Sequence, residues 1–330
     1  MKAARIPLYA LGAAFLLAVP YLVPSNAWLS FWITTLLFGL LSQSWNVLGG
    51  YGGQFSFGHA VFFGTGAYAT AVLQVKLGVP ALVAAPAGIA IGALVGLFIG
   101  AASFRYGLRG SYFALVTLAF AEVFRILATS LPFTGGGAGT LIPLDIRASN
   151  LQFADRTSFY YLILALVAAG LAISIALERS RFGAWLMAVR ENEDAARALG
   201  IDVFRVKLGA ITLSGAMAAA AGVFYAQYFL FIDAGIAFGP SVSVEALLGP
   251  IIGGLGTAMG PILGAVVLHG VGEAAGHAMG DAPGLSLVLY GVLLILMLRF
   301  LPDGLIGLGR RLAARNAATK DAKPTETARA

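Results

Sequence analysis

Few side chains in this 330-residue chain could do chemistry, and most of them fall inside apolar runs. Glu122 and Arg125 sit three positions apart, so both lie on one face of a helix, where they neutralise each other or pair with a neighbouring helix. Charges at membrane depth are costly and face protein or a water-filled path. The pair therefore reads as a buried contact fixing helix register, as a subunit contact, or as part of a gate or pathway. His59 is of a type that serves as metal ligand or proton relay. Yet no His, Cys or Asp lies near it at ligand spacing, and His269 and His277 are remote in sequence. A hydrogen-bonded structural histidine is the competing reading. Glu245 opens a later apolar run, and Glu273 and His277 close the next. Gln43, Ser44 and Asn46 end an early run, and Gln54, Ser56 and His59 follow it in "GGYGGQFSFGHA". There is no cysteine, which excludes disulfides, thiol catalysis and thiolate metal sites. No clustered nucleophile and base is visible, and no G-x-x-x-x-G-K-[ST] phosphate loop. The chain is therefore expected to be no enzyme and to need no metal or cofactor.

The elements that hold these residues follow from composition. The chain is 59% hydrophobic and only 11% charged, with mean hydropathy +0.87, whereas a soluble domain is about a quarter charged. Long continuous apolar runs predict an all-α polytopic transmembrane bundle, not the short alternating segments of a β-barrel. The candidate spans are Ile6–Val23, Trp28–Leu48, Gly58–Val75, Ala81–Ser103, Ser111–Ser130, Ser158–Leu177, Lys207–Phe231 and Gly284–Leu301. Val242–His277 is too long for one span and breaks at Gly253-Gly254-Leu255-Gly256. It holds two short spans, or one span and a re-entrant piece. The basic residues arbitrate, because cytoplasmic loops carry the excess of Lys and Arg. With two spans there, ten in all, only Lys76, Arg147 and Arg156 fall outside and Arg125 within a span; the rest of the 21 fall on one side. That predicts about ten spans with both termini cytoplasmic, and it assigns the net charge of +6 to the inner membrane face, not to nucleic acid. The first run could also be read as a signal peptide, but it is long for one and a second span follows at once.

This gives a transmembrane domain over 1–309 and a polar tail over 310–330, expected to be disordered and cytoplasmic. Within the domain, 178–207 is the one long charged loop inside. Trp185–Leu199 predicts a short surface helix with Gly200 at its C-cap. Such a helix is either a solvated connection or a docking element with a few apolar anchors. The outer loop 131–157, with Gly135–Gly137, Asp145, Arg147, Asp155 and Arg156, is either a flexible connection or a polar docking surface that Asp233 could join. Glycines recur every four residues at Gly88, Gly92, Gly96 and Gly100, which predicts a helix-packing face. The glycines of 49–58 and 249–260 are irregular instead. They predict broken backbone covered by protein or lining a cavity, in comparable positions of two halves.

Three blocks carry a family resemblance. "DAARALG" at Asp194–Gly200 resembles the E-A-A-x-x-x-G motif of ABC importer permeases, with Asp194 where Glu is usual and Glu193 before it. "GGYGGQFSFGHAVFFGTGAYATAVL" and "GGLGTAMGPILGAVV" are similar to hallmarks of branched-chain amino-acid permeases of the LivM type, in the family's order. The resemblance implies an ATP-driven importer. Its ATPase-coupling element would comprise Arg190, Glu191, Glu193, Asp194, Ala195, Ala196, Leu199 and Gly200. The implied partners are two cytoplasmic ABC ATPase subunits, a homologous second permease forming a heterodimer, a periplasmic binding protein, and the lipid of a bacterial inner membrane. Asn46, Gln54, Ser56, His59, Glu122, Arg125 and Glu245 are then candidates for the translocation pathway or subunit interface. The solute is a branched-chain or related amino acid; alternatives are urea, amides or other small organic solutes, or an ion-coupled secondary transporter with its own coupling site. The stretch 49–60 is expected against the central pathway or the subunit interface, with Gln54, Ser56 and His59 satisfying its broken backbone.

Overall fold

The structure, a computed structural model, describes residues 5–22, 25–279, 288, 291–292, 295, 299–300 and 304–308. Most of the described chain is helical. In order the helices are α1 (Arg5–Leu22), α2 (Asn26–Trp45), α3 (Ala60–Leu77), α4 (Ala81–Arg105), α5 (Gly110–Ser130), α6 (Arg156–Arg179), α7 (Arg181–Glu191), α8 (Glu193–Ala198), α9 (Val203–Phe229), α10 (Ala234–Ala237), α11 (Pro240–Gly253) and α12 (Gly260–Met279). Among the described residues, six segments are long and apolar enough to cross a membrane: α3, α4, α5, α6, α9 and Ala234–Gly253. The run Gly284–Leu301 and the tail 310–330 fall wholly or mostly outside the described residues.

Small residues decide which helices touch. In hydrocarbon, apolar side chains gain little by leaving lipid, so close backbone approach drives packing. The glycines of α4 form that face. A Cβ at Gly92 would meet Ala219, one at Gly96 the Ile211 carbonyl at 2.8 Å, and one at Gly100 the Ile211 side chain, all on α9. Gly88 faces Thr70 on α3 in the same way. The same small-residue stripe of α9 also meets α3, through Gly222 against the Phe63 carbonyl and Gly66 against Ala219. Gly249 and Gly253 of α11 bring that helix onto Gly260 and Gly264 of α12. Helix α2 lies at the centre. Its Ile33, Leu36, Leu37, Leu40, Leu41 and Trp45 are buried in one cluster with Ile163 and Val167 of α6 and with Ile211, Ala218 and Phe224 of α9.

Two ends of the bundle are defined by contacts between loops. At one end, residues 140–141 pair antiparallel with 231–232, and Arg156 donates to the Asn26 carbonyl at 3.1 Å. At the other end, Arg109 of the α4–α5 turn pairs with Glu193 at 3.0 Å. The charged loop 178–207, the α4–α5 turn and both glycine-rich breaks belong to this second end.

Two expectations are corrected here. The loop 178–207 does not hold one helix over 185–199. Helix α7 begins at Arg181, where Ser180 caps the Gly183 amide at 3.0 Å. The chain then breaks at Asn192, which is extended (φ −159°, ψ 111°). Its side chain accepts from the amides of Asp194 at 3.0 Å and Ala195 at 2.9 Å and so starts α8. Glu193 and Asp194 in the first turn of α8 favour the same start. Gly200 does close α8 in the left-handed region, φ +83°. The second correction concerns 49–58 and 249–260. The backbone stays helical through Tyr51, as a π-helical turn over Asn46–Tyr51, and α11 runs through Gly249 to Gly253. The non-helical stretches are the shorter 52–59 and 254–259; the first, taken with the π-helical turn that leads into it, and the second form the two glycine-rich breaks, 46–59 and 254–259. The wider turn fits glycine because a Cβ at Gly49 would strike the Trp45 ring and one at Gly50 the Asn46 side chain.

Candidate functional site

At the end of the bundle that holds the charged loop, the two glycine-rich breaks meet each other. Asn46, fully buried at the end of α2, spans them with its amide. Its Oδ1 accepts from the Gly256 amide at 2.9 Å, and its Nδ2 donates to the Thr257 carbonyl at 3.1 Å. Both ends of the side chain are used, so its position is fixed by two elements distant in sequence. Gly256 approaches this closely because it adopts φ +66° and because a Cβ there would lie 3.2 Å from the Gly50 carbonyl.

The charged loop grips the same junction. Arg190, at the end of α7, donates from its guanidinium to the Gly50 carbonyl at 2.6 Å. Glu178, in the last turn of α6, accepts at one carboxylate oxygen from the Tyr51 hydroxyl at 3.0 Å. That oxygen also accepts from the Ala258 amide at 2.9 Å. Glu178 thus holds both breaks at once, and Arg190 holds the first and abuts the second. Charge-assisted bonds of this kind are the stronger class.

The remaining residues of the loop divide into inward and outward sets. Ala196 is 2% exposed and packs into the core. Glu193 is turned inward, where it pairs with Lys207 of α9 and with Arg109. Asp194 pairs with Arg197 at 2.7 Å and reaches Arg109 at 3.6 Å. Outward stand Glu191, Ala195 and the apolar Leu199, 81% exposed, with Trp185 and Met187 of α7 also exposed. The eight candidates of this loop therefore split: Arg190, Glu193 and Ala196 hold the chain together, Asp194 pairs at the surface with Arg197 and Arg109, Gly200 closes α8, and Glu191, Ala195 and Leu199 face away.

Gln54, Ser56 and His59 are not gathered on one surface. Gln54 donates to the Gly52 carbonyl of its own turn at 3.2 Å. The Ser56 carbonyl accepts from the Trp45 indole at 2.8 Å, while its hydroxyl is buried without a partner among the described residues. His59 is buried between α2 and α9, its Nε2 3.2 Å from the Ser44 hydroxyl and 3.0 Å from the Ser214 hydroxyl. Ser44 donates its proton to the Leu41 carbonyl, and Ser214 donates to the Ser44 carbonyl at 2.6 Å. Both hydroxyl oxygens are thereby left as acceptors, which assigns the proton to Nε2 and leaves Nδ1 bare. Among the described residues no group of His, Cys, Asp and Glu is placed to hold a metal ion.

Glu122 and Arg125 pair on α5, Arg125 Nε to Glu122 Oε2 at 2.9 Å. They are not buried within the described chain: the two side chains are 49% and 36% exposed. Among the described residues of this one chain no neighbouring helix covers that face. Glu245 lies apart, on α11, with its carboxylate 4.0 Å from the His269 ring nitrogen. Two residues of the structure have no counterpart among the sequence candidates. Glu178 reads in the sequence only as loop charge, and Gln227 is hidden inside an apolar run.

Residues 27–298 match the family described as "Branched-chain amino acid transport system / permease component". The chain is 31% identical over 312 residues to the high-affinity branched-chain amino acid transport system permease protein LivM of Escherichia coli (strain K12), covering 87% of this chain and 72% of that one. It is 32% identical over 301 residues to LivM of Salmonella typhimurium, covering 84% and 69%. The LivH permease protein of the same Salmonella is 34% identical over 139 residues, 42% of this chain and 44% of that one. No solved structure matches.

Proposed function

The chain belongs to the branched-chain amino acid transport permease family, and from that premise we propose that it is the membrane-spanning subunit of an ATP-driven importer of branched-chain or related amino acids. The observation that carries the mechanism is the grip of the charged loop on both glycine-rich breaks through Arg190 and Glu178. A push on α7 and α8 from below moves the turns that end α2 and begin α12. Energy enters here because the sequence carries no phosphate-binding loop, so hydrolysis belongs to two cytoplasmic ATPases docked on Leu199, Trp185, Met187, Glu191 and Ala195. This is helix-in-groove docking, with apolar anchors on a compact helix pair. Arg190, Glu193 and Ala196 act behind that surface, passing its movement inward, and Gly200 sets the turn back towards α9.

A homologous second permease covers α5, where Glu122 and Arg125 face outward. The path runs between the two subunits, and an extracytoplasmic binding protein delivers solute to the loop 131–157. Asn46 and Glu245 act at the junctions of helices that rearrange, and Gln54, Ser56 and His59 stiffen the turn between α2 and α3. The permease domain spans 1–309, and 310–330 is a cytoplasmic tail. The chain crosses a bacterial inner membrane ten times with both termini inside. The positions of Arg109, the loop 178–207 and both breaks at one end of the bundle support this orientation.

Two outcomes test the reading. Leu199→Glu leaves the buried contacts of the loop untouched. It should abolish both uptake and co-purification of the ATPases while the permease inserts normally; full uptake in that variant removes α8 from the docking surface. Reporter fusions at Thr140 and Asn316 should report opposite sides of the membrane, and the same side for both refutes ten spans.

A further inference from the structure

At the end of the bundle that holds the charged loop, one carboxylate ties three elements together. Glu193, in the first turn of α8, pairs with the Lys207 ammonium of α9. Its other oxygen accepts from Arg109 Nε, in the α4–α5 turn, at 3.0 Å. Lys207 is 3% exposed. Its ammonium lies 5.3 Å from the centre of the Phe104 ring of α4, within the range of a cation–π contact. Phe104 in turn stacks on Phe113 of α5, with ring centroids 4.9 Å apart. The inner ends of α4, α5, α8 and α9 therefore meet around one buried ammonium and its carboxylate.

A buried ion pair is a poor way to stabilise helix contacts, because taking both charges out of water costs about what their attraction returns. What it does provide is register: removing one partner is costly, so the two elements that carry them are held to each other. The Asp194–Arg197 pair differs, being exposed on both sides and joining α8 only to itself. Nor does α9 stand alone. Gly92, Gly96 and Gly100 bring α4 against it, and Gly66 and Gly222 bring α3. Two turns beyond Lys207, about 10 Å along the helix, Ser214 lies 3.0 Å from His59 Nε2 and donates to the Ser44 carbonyl of α2 at 2.6 Å. Thus α8 holds the group of α3, α4 and α9, whereas α7 holds the turn that ends α2 through Arg190. His59 sits on the seam between the two groups.

We propose that Lys207 is a positioning residue for transport. Through Glu193 it passes the movement of α8 to α9 and the helices packed on it, and Arg109 passes the same movement to the start of α5. The inference rests on the import reading and divides its coupling into two lines. Arg190 moves the end of α2, and Lys207 moves α9 with α3 and α4. The two movements meet where His59 lies between Ser44 and Ser214, and solute passes only when both are delivered.

The test uses the complete transporter in proteoliposomes and reads leucine taken up per ATP hydrolysed. Lys207→Met removes the cation and leaves Glu193 its bond to Arg109. The ratio should fall about tenfold, the loss expected for a hydrogen bond to a charged group, while the ATPases co-purify as in wild type. Lys207→Arg keeps the charge and should recover part of the ratio. Glu193→Gln leaves a buried ammonium without its carboxylate and should lower the amount of protein recovered in the membrane. The double variant, Glu193→Gln with Lys207→Met, buries no unpaired ammonium. Its recovery should return to the wild-type level while its ratio stays low, whereas a purely structural pair would restore both. If Lys207→Met fails to assemble, the double variant carries the same expected loss. An unchanged ratio in Lys207→Met, or a ratio restored together with recovery in the double variant, overturns the proposal. With leucine uptake by wild type intact, those results overturn the role of Lys207 alone. No uptake of any branched-chain amino acid by wild type overturns the import reading and this inference with it.

Discussion

Replacing Arg190 with leucine should abolish uptake while the assembled transporter goes on hydrolysing ATP. The guanidinium is the link by which α7 holds the Gly50 carbonyl, at 2.6 Å. Removing it strips a charge-assisted bond worth about 1.5–3 kcal/mol and leaves an acceptor in a covered turn short of its partner. The outward residues Leu199, Trp185 and Met187 are untouched, so on the proposed reading the ATPases should still dock and close on nucleotide. What is lost is transmission to the first break. Asn46 and Glu178 still tie the breaks to each other and to α6, so the fold persists. Arg190→Lys keeps the charge but not the planar fork, and should retain uptake at an intermediate level. The measurement is the ratio of leucine taken up to ATP hydrolysed in proteoliposomes. Unchanged coupling in Arg190→Leu would mean that α7 moves the breaks by another route.

Much of this geometry is written locally in the sequence, and the exceptions share a cause. Glycine spacing at Gly88–Gly100 announces the α4–α9 contact because small residues set interhelical approach whatever the partner. Likewise Gly253–Gly256 marks the turn between α11 and α12, since backbone of that kind cannot continue a helix cheaply. The break at Asn192 has a local signal too, an Asn followed by two acidic residues, but the helix formers on both sides outweigh it. Glu178 has none. Its role depends on Tyr51 and Ala258 arriving from opposite ends of the chain. Gln227 likewise looks like a tolerated polar residue until α2 and the loop 131–157 close around it. The exposure of Glu122 and Arg125 is a third case: spacing gives the pair, and only the packing of α5 reveals that no described helix covers it.

That uncovered pair supports the second large prediction. Helix α5 presents Leu115, Leu118, Val123, Ile126 and Leu127 outward together with Glu122 and Arg125. An unpaired charge at the centre of a span costs about 2.5–3.5 kcal/mol by insertion scales. Glu122→Leu and Arg125→Leu should therefore each lower the amount of protein recovered in the membrane, since each leaves its partner alone. The double variant removes both charges, so its insertion should return to the wild-type level. Uptake separates the meanings of the pair. On a face turned to lipid, the double variant is better solvated than wild type and transports normally. On a face turned to the second permease and the path between the subunits, it inserts but fails to transport and recovers less of the partner permease on co-purification. The second outcome is the expected one. A helix that must sit in lipid gains nothing from carrying an ion pair there, whereas a wall between two subunits gains a polar contact that fixes their register and wets the path.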